Sequence, residues 1–123
     1  MNDQATVDAA ERALAKLEEM SLDLRACAIL DVDGRTLATS ADADWRVRAA
    51  ELWEAAGGDA APAPTQVHVA TVEGEVFLVR GPGGRSAIAV TDRFALASLM
   101  FCDLRATLRE LDSAAEPAAA GSR

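Results

Sequence analysis

Residues 24–40 read LRACAILDVDGRTLATS, and this stretch decides the fold. Its first part is apolar on both alternating sides: Leu24, Ala26, Ala28, Leu30 and Val32 fall on one, Cys27 and Ile29 on the other. A strand apolar on both sides is normally covered on both sides. Asp33-Gly34 then offers the positive-φ backbone of a tight hairpin, and Arg35 to Ser40 reads as the returning strand. A hairpin that must be sandwiched calls for helices, and the flanking sequence supplies them.

Upstream, Thr6 to Met20 reads as an amphipathic helix, since Val7, Ala10, Leu14 and Leu17 recur at three and four residues. Asp3 or Thr6 can cap it. Downstream, Asp42 or Asp44 can cap a second helix over about Ala43 to Ala56, with Ala49, Ala50, Trp53 and Ala56 on one stripe and Gly57-Gly58 ending it. Residues 59–64, DAAPAP, have linker composition. Three strands follow: Gln66 to Glu73, Glu75 to Arg80 and Arg85 to Thr91, separated by Glu73-Gly74 and by Gly81-Pro82-Gly83-Gly84. Links this short force antiparallel neighbours, because a parallel crossover needs about a dozen residues.

The last helix is expected from Arg93 or Phe94 to Leu111, capped by Thr91 or Asp92. Its first half, FALASLMFC, is apolar nearly all round and belongs deep in the fold or in an interface. The order is therefore α-β-β-α-β-β-β-α, an α+β domain over residues 1–112. The Ala-rich segment 113–123 has no periodicity and is expected to be a disordered tail.

The chain of 123 residues carries 12 basic and 20 acidic side chains, a net charge of −8. The first 59 residues hold thirteen of the acids and six of the bases. Such a field repels polyanions, which argues against DNA, RNA and anionic membranes as partners. No apolar run approaches the roughly 18 residues of a membrane span. Cys27 and Cys102 both stand in apolar strings and read as small hydrophobes. No secretory leader is legible at Met1, so a reducing cytoplasm is expected.

Catalytic chemistry has nothing to stand on. His68 is the one histidine, and with two distant cysteines it cannot complete a zinc site. The glycine run 81–84 lacks the Lys-Ser/Thr of a phosphate loop. Asp31, Asp33, Asp42 and Asp44 fit turn and cap chemistry. Arg105 and Arg109, one helical turn apart, read as a solvated face. No catalytic residue, cofactor or metal is expected. Trp45 and Trp53 crowd one short helix, and tryptophan is enriched both in cores and in interfaces.

ACAILDVDGRTLATS, EVFLVR, SAIAVT and RFALASLMFCDLRATLREL, in this order, resemble the roadblock/LC7 family over about residues 6–112. The resemblance implies a five-stranded antiparallel sheet with the middle helix on one face and the terminal helices on the other. It implies dimers that pair the middle helix and the adjoining edge strand, here Ala49, Leu52, Trp53, Val67 and Val69 in a homodimer. It implies a non-enzymatic partner or regulator of a small Ras-like GTPase or related signalling complex; the aromatic and acidic residues of the middle helix, Trp45, Glu51 and Glu54, are the partner-binding residues expected from the sequence itself. Gln66 to Glu73 contains no Lys or Pro to block edge pairing. The other reading is a small-ligand sensor with a pocket between sheet and helix.

Overall fold

The computed structural model describes residues 3–58, 62–72 and 74–115. Its elements are α1 (Asp3–Met20), β1 (Leu24–Leu30), β2 (Thr36–Thr39), α2 (Trp45–Ala55), β3 (Gln66–Ala70), β4 (Glu75–Arg80), β5 (Ser86–Thr91) and α3 (Ala97–Ala115). The sheet has five strands in the order β2-β1-β5-β4-β3, and every neighbouring pair is antiparallel. The α+β order expected from the sequence is the order observed.

Alternation along the strands divides the core in two. Cys27, Ile29, Phe77, Val79, Ala87 and Ala89 point to one face and meet α1 and α3. Ala28, Leu30, Leu78 and Ile88 point to the other and meet Trp45 and Ala49 of α2. On the first face, Ala10, Ala13, Leu14 and Leu17 of α1 pack with Leu104, Leu108 and Leu111 of α3. Burying each such leucine contributes roughly 2 kcal/mol of transfer free energy. Leu24 departs from the simple alternation. The register of β1 against β5 shifts between Leu24 and Ala26. That extra residue turns Leu24 toward the terminal helices, while Ala26 stays on the α2 face.

Two hairpins share one turn geometry. Asp31 N donates to Arg35 O (2.7 Å) and Gly34 N to Asp31 O (2.9 Å), with Gly34 at φ +89°. Gly81 N donates to Arg85 O (2.9 Å) and Gly84 N to Gly81 O (3.0 Å), with Gly84 at φ +92°. Each is a three-residue loop closed by a glycine in a conformation that L side chains rarely adopt. The Asp33-Gly34 signal thus marks a hairpin one residue longer than its two-residue reading.

Several boundaries move. α3 begins at Ala97, three residues past Phe94. Phe94 itself sits at φ +67°, which breaks any helix there. Its N–H donates to Glu75 Oε2 (2.5 Å), a contact from another strand. Nor does FALASLMFC lie deep: Met100 is buried, but Phe94, Leu96 and Leu99 are exposed. At the other end α3 continues through Ala115, beyond the expected stop at Leu111. Tail residues 116–123 lie outside the described residues, as do linker residues 59–61 and Glu73 of the β3–β4 turn.

Candidate interaction surface

The side of the sheet that carries α2 is only partly covered. The helix has eleven residues and starts from Asp44, whose carboxylate accepts from Val47 N (3.4 Å). Its buried stripe is Trp45 and Ala49, with Leu52 and Trp53 half-buried beside them. Ala50 and Ala56, placed on that stripe by sequence spacing, are exposed. Beyond Trp53 the sheet continues as a half-open apolar strip of Val67, Val76 and Val90, and Val69 is 37% exposed.

Trp45 is not available to a partner. It is 2% exposed, and its indole N–H donates to Thr39 Oγ1 (2.7 Å) and Ala41 O (3.0 Å). A buried ring with its one donor satisfied is a core residue; the partner-binding expectation for it is corrected. Ala49 is likewise almost wholly buried within the chain. Leu52, Trp53, Val67 and Val69 retain surface, and Glu51 and Glu54 stand exposed on the outer side of α2.

β3 forms one edge of the sheet. Arg80 N donates to Thr65 O (2.8 Å) and Thr71 N to Gly74 O (2.8 Å), which bracket the strand. In an antiparallel ladder, residues two apart point their backbone groups the same way. Thr65, Val67, Val69 and Thr71 therefore face β4, and Gln66, His68 and Ala70 turn their N–H and C=O groups to the open edge. Side chains alternate perpendicular to this: Val67 lies on the α2 face and His68 on the other.

His68 anchors the edge strand. Its ring stacks on Phe77 with centroids 4.3 Å apart, and Phe101 of α3 meets it edge-on at 6.3 Å. His68 Nε2 lies 2.6 Å from Glu75 Oε1. An ionised carboxylate only accepts, so Nε2 carries the proton. Glu75 is nearly buried, and the hydrogen bond from His68, with help from Phe94 N–H, holds its pKa below the ordinary glutamate value. One carboxylate thus joins the edge strand to the loop that launches α3. Nothing local in the sequence announces this link.

A second exposed apolar region went unread in the sequence. Met20, Leu22, Leu96 and Leu99 line a cleft between the α1–β1 turn and the start of α3, with Asp23 and Asp103 among them. Leu22 is 94% exposed. Burial raises the Asp103 pKa. Among the described residues, no group of three or more His, Cys, Asp or Glu is placed to hold a metal ion, and no helix is long and apolar enough to cross a membrane.

No family model and no curated protein sequence matches the chain. Solved structures do. A roadblock/LC7 domain from Streptomyces avermitilis superposes with a TM-score of 0.69, at 16% identity, over 83% of this chain and 93% of that one. The chain has the roadblock/LC7 fold. The gliding protein MglB from Thermus thermophilus shares that fold at a TM-score of 0.67 and 13% identity, over 92% and 93% of the two chains. A LokiProfilin2 chain, solved in complex with rabbit actin, superposes at 0.58 with 16% identity, over 82% of this chain and 93% of that one. In the roadblock/LC7 fold as this chain builds it, α2 covers one face of the sheet and α1 and α3 the other.

Proposed function

We propose that this chain is a non-catalytic interaction domain that forms a homodimer through α2 and the β3 edge, and that the dimer is a partner or regulator of a small Ras-like GTPase or related signalling complex. The observation that carries the reading is the open edge itself. Gln66, His68 and Ala70 present unpaired backbone groups beside a half-open apolar strip of Leu52, Trp53, Val67 and Val69. An edge strand without Lys or Pro is a template for a further strand, and an apolar strip beside it gives the second chain something to bury. The GTPase rests on the resemblance to roadblock/LC7 proteins, with MglB, a gliding protein also solved in a tetrameric arrangement, among those sharing the fold. Fold alone is an associational warrant for function.

Light scattering across protein concentrations tests the dimer. Pull-downs with GDP- and GTP-loaded Ras-like GTPases test the partner. A monomer at tens of micromolar, roughly where weak dimers form, would remove the first half of the reading; uniformly negative pull-downs would remove the second. The sensor reading has its own test: on the α2 side of the sheet one cleft beside Leu30, Ala49 and Trp53 holds about 240 Å³ and another beside Arg48, Ala26, Val76 and Val90 about 450 Å³, and a small molecule retained in native mass spectrometry would favour it.

A further inference from the structure

The α1–β1 turn and the start of α3 leave an apolar cleft open to solvent. α1 stops at Met20. Ser21 N donates to Leu17 O (3.0 Å) and Leu24 N to Ser21 O (3.3 Å), and the tight turn between them pushes Leu22 out to 94% exposure. Opposite, Glu75 takes the Phe94 N–H and delays α3, so Leu96 sits just before the helix and Leu99 in its first turn, both exposed. Asp92 N donates to Asp23 O (3.1 Å), which ties one wall to the other, and Met100 N donates to Leu96 O (3.0 Å), which fixes the second. Met20, Leu22, Leu96 and Leu99 are four of the nine large exposed hydrophobics among the described residues, and all four line this cleft. A lone exposed leucine needs no explanation, whereas a contiguous group marks a contact surface.

The charged residues that line the cleft, Asp23 and Asp103, are both acids. Neither carboxylate makes a hydrogen bond or ion pair with any described residue. Bases on the adjoining elements are engaged elsewhere: Lys16 with Glu110 (3.1 Å), Arg25 with Asp92 (3.6 Å), and Arg93 over the Phe94 ring (4.7 Å). Glu19 stands one turn beyond Lys16, on the flank of α1 that meets α3, and adds an exposed negative charge beside the cleft. Asp103 is the more enclosed of the two lining acids, and burial raises its pKa. It has lost water without gaining a cation.

We propose that this cleft docks an amphipathic helix of a partner protein, with the helix's apolar side in the cleft and a lysine or arginine against Asp103 and Asp23. An extended peptide would gain no ladder here, because β1 and β5 are interior strands, paired on both sides. The cleft holds about 220 Å³, room for anchor side chains but less than the roughly 300–1,000 Å³ of small-molecule pockets. Acids on its rim repel an anionic membrane. A second copy seated about a two-fold axis would set acid against acid. An amphipathic helix brings apolar residues at i, i+3 and i+4 with bases beside them, and so supplies the cation that both carboxylates lack. The cleft shares no residue with α2 or the β3 edge, so the homodimer proposed above leaves it free.

The test selects binders to the full chain from a displayed library of random 16-residue peptides, then measures the winners by fluorescence anisotropy. Enriched peptides should carry Leu, Met or Phe at helical spacing with flanking Lys or Arg, and bind with Kd below about 100 μM. The double variant Leu22→Ser/Leu96→Ser should lose about tenfold or more in affinity. Asp103→Asn should lose several-fold and flatten the salt dependence. Val32→Ser/Val47→Ser, which trims exposed apolar side chains elsewhere, should bind as the parent does. All these side chains reach the surface, and circular dichroism checks that each variant folds. No enrichment, winners that are acidic or lack helical spacing, or equal loss in the Val32/Val47 control would each overturn the proposal. So would a parent mass above the dimer that falls in Leu22→Ser/Leu96→Ser, since a second copy would then be the occupant. Dimerisation through β3 is followed separately by light scattering, and its failure would leave these outcomes readable.

Discussion

Cys27 and Cys102 occupy similar apolar strings and end in opposite surroundings. Cys27 is wholly buried in β1, and burial pushes its thiol up to about 11 despite a hydrogen bond with Ser40. Cys102 lies on the exposed side of α3, so of the two only Cys27 packs as the small hydrophobe its apolar string suggests. The thiolate is the reactive form, so an alkylating reagent at neutral pH should label one site per folded chain, and peptide mapping should find it at Cys102. Rapid labelling of Cys27 before unfolding would contradict this placement. Glu75 makes a pH prediction. Its folded pKa is lowered, first by His68 and then by the Phe94 N–H, so its contribution to stability is present above the ordinary glutamate range and is lost as pH falls through the folded value. Glu75→Gln should therefore be less stable than the parent near neutrality, and the gap should close on acidification. Urea titrations across that range measure it; a gap indifferent to pH would mean the carboxylate charge does nothing.

At the scale of elements, the edge strand allows a sharp contrast. Val69 turns its backbone toward β4, whereas Ala70 turns its own outward. Proline removes a donor. Val69→Pro should therefore damage the sheet within one chain, with loss of thermal stability. Ala70→Pro should leave the monomer folded and shift light scattering to half the mass. Equal effects from the two would mean that β3 does not pair across a dimer. The element order could be read from the sequence because period-two strands and glycine turns are local signals. Glycines at 34 and 84 sit where positive φ is required. The start of α3 could not be read that way. RFALAS is composed mostly of helix-tolerant residues, and what delays the helix is Glu75, nineteen positions earlier, taking the Phe94 N–H. The bulge that turns Leu24 has the same character: it is set by pairing with β5. Of the surface residues, Glu51 and Glu54 were legible on the outer side of α2. The burial of Trp45 was not, since it depends on acceptors at Thr39 and Ala41.

For the whole molecule, charge distribution bears on how a partner arrives. The acids are concentrated in the first half of the chain, and Glu51 and Glu54 bring two of them to the exposed side of α2. Apolar area beside the β3 edge sets how long a complex lasts, whereas rim charges set how fast it forms. Reversing both glutamates to lysine changes the local charge by four units without touching the buried stripe of Trp45 and Ala49. The fold should survive, and the dimer should keep its mass. Association with a basic partner surface should slow, and its rate should lose much of its dependence on salt, because screening acts over only about 8 Å at physiological ionic strength. Dissociation should change little. Stopped-flow or surface-binding kinetics at several salt concentrations, with the GTPase captured in pull-downs, would separate the two rates. If the reversed protein associates as fast as the parent at every salt concentration, α2 is not the surface that meets the partner. The exposed cleft of Met20, Leu22, Leu96 and Leu99 then becomes the next place to introduce charge.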